Sequence, residues 1–129
     1  MNSIFSEKLF EVTLPKVIEG NLVDFWLATH YDEENRDIEK TIKFSDRREI
    51  FLWVLERLLR EGQIKLHKNG VFLEAPIHDQ IDFFRNAWPN SDRPYPDHPD
   101  ADFYLWFYDS ACPAGIAWRK NDGHYEIAV

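Results

Sequence analysis

Three groups of residues have types and spacing that could do chemistry. Cys112 precedes Pro113 after a run of aromatic residues, where a thiol could be exposed, and five histidines are available to activate it. No histidine or acid stands at a spacing that marks it as the partner, so a small buried residue in a bend is the better account of this cysteine. Asp97, His98, Asp100 and Asp102 place oxygen and imidazole ligands close together. They lack the glycine and spaced carboxylates of a calcium loop, and they lack the helical histidine spacing of a zinc hydrolase. We therefore expect no metal and no cofactor. Arg47, Arg48, Arg57 and Arg60, with Lys65 and Lys68, form the one basic concentration, on what reads as a helix followed by a tight hairpin. Glu49, Glu56 and Glu61 interleave with them, which weakens a nucleic-acid reading. Carboxylates are abundant but unordered, and no spacing singles out an acid and base pair of the kind a hydrolase needs.

The elements that must position these residues are legible to different degrees. Ile50, Phe51, Val54, Leu55, Leu58 and Leu59 repeat at helical spacing until Gly62, and Asp46 with Glu49 resembles a capping box, so a helix is expected over about 46 to 61. Residues 63 to 68 then alternate polar and apolar, Asn69-Gly70 can take positive φ, and residues 71 to 74 return as the second arm of a hairpin. Pro76 suits a first helical turn. Ile77, Ile81, Phe84 and Trp88 share one helical face before Pro89, which predicts a helix over 77 to 87.

Upstream, Leu14 to Thr29 reads as one helix, or as two short ones meeting near Gly20. Residues 31 to 40 are polar and acidic, and residues 89 to 102 hold four prolines and four aspartates; both read as loops. Residues 103 to 108, Phe-Tyr-Leu-Trp-Phe-Tyr, read as a strand. In that conformation Phe103, Leu105 and Phe107 face the core, and Tyr104, Trp106 and Tyr108 share an outer face suited to a partner. Strands over 115 to 120 and 124 to 128 flank the turn Asn121-Asp122-Gly123. The expected fold class is α+β, with amphipathic helices packed on a small, mostly antiparallel sheet, as a single domain over residues 1 to 129.

Charge placement narrows the class of partner. The chain carries a net charge of −8. Residues 1 to 44 hold nine acids against five bases, residues 45 to 88 seven of each, and residues 89 to 129 seven acids against three bases. Such a field repels nucleic acid and anionic membrane and attracts a basic protein surface. With 44% hydrophobic residues, one cysteine, no long apolar run and no signal-like start, a folded cytoplasmic protein is expected.

Four segments resemble a known family. They are Leu55 to Leu66, the hairpin Lys68 to Leu73, the helix Asp79 to Pro89, and Trp106-Phe-Tyr-Asp-Ser-Ala-Cys-Pro-Ala-Gly-Ile-Ala-Trp118, in which Cys-Pro-Ala-Gly is the most specific piece. Together they are similar to a family of small bacterial proteins catalogued as a domain of unknown function, with members beside toxin genes of contact-dependent inhibition and related polymorphic-toxin systems. The resemblance covers most of residues 46 to 123. It implies an immunity protein that binds the C-terminal domain of a cognate toxin, many such toxins being nucleases with basic surfaces, and it brings no functional residues with it. From charge and residue type, the expected partner-binding residues are Asp92, Asp97, Asp100, Asp102, Tyr104, Trp106 and Tyr108. The alternatives are a small enzyme using Cys112, or a regulatory protein-binding module without a toxin partner.

Overall fold

A computed structural model describes residues 5–98 and 102–128. Helix α1, Glu7–Val17, starts where the Ser6 hydroxyl accepts the Leu9 amide at 3.1 Å, and it buries Leu9, Phe10, Thr13 and Val17. The chain then turns through Glu19 in a positive-φ conformation. Helix α2, Leu22–Ala28, is opened by a capping box in which Asn21 and Asp24 bond each other's backbone. The two-helix alternative for this region is thus realised, and the first helix begins seven residues before the expected start.

Helix α3, Phe44–Arg60, buries all six residues of the expected stripe together with Leu52 and Arg47. Its start corrects the expected capping box. Lys43 occupies the cap position with no side-chain bond, while Asp46 lies in the first turn. Glu49 is drawn instead to Arg85 on the next helix, at 2.9 Å. A carboxylate in the first turn still favours the helix through its dipole.

Strands β1, Ile64–Lys68, and β2, Val71–Phe72, form the expected hairpin, with Asn69 and Gly70 both at positive φ. Helix α4, Ile77–Ala87, follows, with Pro76 at its cap position. Strands β3, Gly115–Arg119, and β4, Tyr125–Ile127, complete a four-stranded antiparallel sheet in the order β2-β1-β3-β4. Ile64, Leu66, Ile116 and Trp118 are buried in the core, whereas the ammonium of Lys65 lies over the rings of Phe72 and Tyr125. Gly115 pairs with His67, whose ring would be met by any Cβ there at 2.9 Å. The Trp118 indole donates to the Gly20 carbonyl at 2.7 Å and pins the sheet to the turn between α1 and α2. The expected α+β architecture is what the chain adopts. Among the described residues, no helix is long and apolar enough to cross a membrane.

One element differs in kind. Residues Phe103–Tyr108 form not a strand but a 3₁₀ helix, η1. Side chains three apart eclipse in this conformation. Phe103 and Trp106 accordingly turn inward and are buried, Leu105 and Tyr108 turn outward, and Tyr104 is exposed while Phe107 packs partly against the core. The outer face expected to combine Tyr104, Trp106 and Tyr108 does not exist.

Replacing Leu55, fully buried in α3, with Ala should lower unfolding free energy by about 2–5 kcal/mol. Gly70→Val, at φ 85°, should destabilise by placing a β-branched residue in the left-handed region. Chemical denaturation monitored by tryptophan fluorescence measures both losses, and an unshifted midpoint in either variant contradicts the assigned helix or turn.

Candidate functional site

The end of α2, the start of α3, the loop between them and the start of η1 enclose a cleft of about 320 Å³. Among its lining residues is Arg47, an arginine on the apolar face of α3 that is only 8% exposed. The guanidinium lies over the Trp26 ring, 3.8 Å from its centroid. Nε donates to Thr29 Oγ1 at 2.9 Å and Nη2 to the Trp26 carbonyl at 3.2 Å. Thr29 in turn donates its hydroxyl to the same carbonyl at 2.6 Å. Among the described residues, the nearest carboxylate oxygen to Nη1 is Glu39 Oε1, at 3.8 Å, beyond hydrogen-bonding range. Burial pulls the Arg47 pKa down to about 10, opposed by Glu39 and Asp92, so the side chain stays charged at neutral pH.

The acidic loop after α2 is folded back on itself to deliver Glu39 to this place. The Ile38 amide donates to the His30 carbonyl at 2.6 Å and the Asp32 amide to the Arg36 carbonyl at 3.1 Å. The Asp32 carboxylate accepts the amides of Glu34 and Arg36 and pairs with the Arg36 guanidinium. His30 and Glu39 thereby meet, Nδ1 to Oε2, at 3.5 Å. The His30 pKa is lowered, first by burial and then by Arg47, against the opposing pull of Glu39 and Asp37.

Asp92, Asp102 and Tyr104, three of the seven expected residues, line this cleft, with Arg93 beside them. Glu39 of the first acidic segment and Asp92 and Asp102 of the second therefore meet at one cleft, although more than fifty residues separate Glu39 from Asp92. Asp97 is exposed but is not among the lining residues, and Asp100 lies outside the described residues. Tyr108, at 68% exposure, borders a different hollow, shared with Leu22, Val23 and His67. Trp106 is only 3% exposed and packs on Trp88, Phe103 and Phe107, which removes it from the partner-binding set.

Cys112 is buried as expected, and its pKa is pushed up to about 11 by desolvation. Its carbonyl accepts Lys68 Nζ at 2.7 Å, which fixes the Cys-Pro turn beside the hairpin. The only group of three metal-capable side chains with converging donors among the described residues is His30, Asp37 and Glu39, not the aspartates and His98 of the later loop. On the basic helix, Arg48 pairs with Glu49, Arg57 with Glu7 and Glu61, and Arg60 with Glu56. Each of these three cations already has a carboxylate.

Sequence reasoning placed Arg47 in the one basic concentration and read His30 as a lone surface or hydrogen-bonded histidine. A signal was present: Arg47 precedes Ile50, Phe51 and Val54 by three, four and seven positions, on the face that must be buried.

The model of a family described as "Protein of unknown function, DUF596" matches residues 59–127. No curated protein matches the chain. Among solved structures, an uncharacterised protein conserved in bacteria, from Neisseria meningitidis, superposes with a TM-score of 0.70 at 22% identity, over 92% of this chain and 83% of that one. The likeness is one of fold.

Two outcomes follow from the geometry. Trp106→Ala should cost about 3–5 kcal/mol of stability, as truncation of a buried aromatic does, whereas Tyr108→Ala should stay within about 0.5 kcal/mol of the parent. Equal melting temperatures for the two would contradict the placement of η1. His30, with a folded pKa below its unfolded value, makes the unfolded state the better proton binder as pH falls through about 6.5. Stability should therefore decline from pH 7.5 to pH 5, and the decline should be shallower in His30→Asn; parallel melting curves across that range would show that His30 titrates normally.

Proposed function

We propose that this chain, which belongs to the DUF596 family, is a protein-binding module that neutralises a basic partner, in the manner of an immunity protein acting on the C-terminal domain of a contact-dependent inhibition toxin. The observation that carries the reading is the convergence of Glu39, Asp92 and Asp102 around one cleft, with the exposed Tyr104 at its edge. Rim carboxylates steer a cationic surface during encounter, and aromatic side chains with polar tips supply contact area once water is expelled. The net charge of −8 extends the same attraction over the whole molecule. A nuclease domain, whose own substrate is a polyanion, presents the kind of surface this face would meet. The enzyme alternative through Cys112 draws less support, because a buried thiol with a pKa near 11 holds almost no thiolate at neutral pH.

Co-expression with the product of the adjacent upstream gene, scored for growth rescue and co-purification, tests the toxin-inhibitor reading directly. For the purified pair, Asp92→Asn, Asp97→Asn and Asp102→Asn together should slow association about tenfold at low salt and flatten its salt dependence. Tyr104→Ala should instead speed dissociation about five- to thirtyfold with little change in association. Stopped-flow binding reads both rates. Unchanged association in the triple variant would sink the charge-led account, and absence of rescue or complex formation would sink the inhibitor reading itself.

A further inference from the structure

Partner docking on an acidic rim leaves Arg47 unexplained. A buried guanidinium forfeits hydration and is retained at least cost when its donors are filled. Here Nε and Nη2 are engaged, whereas Nη1 has no hydrogen bond among the described residues and only a loose ion pair with Glu39 at 3.8 Å. Arg47 lines the cleft, and its planar fork is complementary to a carboxylate.

The rest of the lining asks for the opposite charge. Among the described residues that line it, Glu39, Asp92 and Asp102 stand against Arg47 and Arg93, which with a neutral His30 leaves one negative charge in excess. A ligand that completes both conditions carries a carboxylate and a net charge of +1. A volume of about 320 Å³ lies at the small end of ligand sites. The rings of Trp26 and Phe103 offer an apolar wall for a short methylene chain.

We propose that the cleft binds a basic α-amino acid, its carboxylate on Arg47 and its cationic groups on the rim formed by Glu39, Asp92 and Asp102. The same carboxylate and cation could be presented by a free amino acid or by the C-terminal residue of a peptide. The net charge of +1 is met by the free form. This site shares its rim with the partner-binding reading but does not depend on it.

Isothermal titration at low ionic strength tests the proposal, with L-arginine, L-lysine, agmatine and a short peptide ending in arginine as probes. L-arginine or L-lysine should saturate one site per chain. Agmatine, which is arginine without its carboxylate, should bind at least tenfold more weakly. A peptide that binds more tightly than the free amino acid also supports the site and identifies a partner's C-terminus as the source. Arg47→Gln should abolish the preference for arginine over agmatine. Should that variant fail to fold, the exposed double variant Asp92→Asn, Asp102→Asn, with an unchanged melting curve, should weaken arginine binding at least tenfold. Equal affinity for arginine and agmatine, no saturable binding of any carboxylate-bearing probe at millimolar concentration, or arginine binding indifferent to the double variant would overturn the proposal. Salt-dependent association with a protein partner is measured separately, so loss of one result leaves the other standing.

Discussion

The packing of Trp88 is the interaction on which the helical half of the molecule depends. Its ring lies 5.1 Å from Phe51 on α3, 5.7 Å from Trp26 on α2, and 5.2–5.9 Å from Phe103, Trp106 and Phe107 on η1. One side chain at the end of α4 thus touches three other elements. Centroid separations and tilted or edge arrangements of this kind bring quadrupole attraction on top of the area buried. The cost is a Trp88 indole N–H with no acceptor among the described residues. Pro89 follows directly and stops the helix, so the ring is set at the point where the chain leaves α4.

The cleft inherits its shape from that cluster. Trp26 and Phe103 belong to it, with centroids 4.7 Å apart, and they form the wall against which Arg47 is laid. Arg47 contributes in turn by tying α3 to the last turn of α2 through Thr29 and the Trp26 carbonyl. A cation so placed offsets its lost hydration partly through the ring face and partly through two hydrogen bonds, with only a distant carboxylate. Replacing it by an apolar residue would relieve the desolvation but would remove the cross-link between the two helices. Packing alone therefore does not account for a charged residue at this position.

How much of this was readable from the sequence varied with the strength of local pattern. The stripe from Ile50 to Leu59, the Asn-Gly turn and the face from Ile77 to Trp88 are redundant signals, each repeated several times, and each element appears where the pattern placed it. Residues 103 to 108 carry no such redundancy. When all six side chains are large and apolar or aromatic, a period of two and a period of three are equally compatible with the letters, and tertiary packing decides. Here Trp88 and Trp26 offered a concave surface that Phe103 and Trp106 fill together only at a spacing of three. The capping box failed as well. Helix α3 starts at Phe44, so Lys43 takes the cap position, Asp46 falls inside the first turn, and Glu49 pairs with Arg48 and with Arg85 of α4. The convergence of the two acidic segments is likewise a property of the fold and not of either segment.

That convergence has a physical consequence for how the surface can work. Carboxylates scattered along a chain give a diffuse field that salt screens within about 8–10 Å. Carboxylates gathered at the mouth of a cleft with low-dielectric aromatic walls focus the field where a cationic group would arrive. Glu39, Asp92 and Asp102 are in the second situation, and the buried positive charge of Arg47 beneath them gives the cleft a dipole, negative at the rim and positive at the floor. A purely cationic group is attracted to the rim but repelled from the floor. Under the two proposals, depth of entry would be set by charge distribution: a flat basic surface would stay at the rim with Tyr104, and a ligand that leads with its carboxylate would reach Arg47.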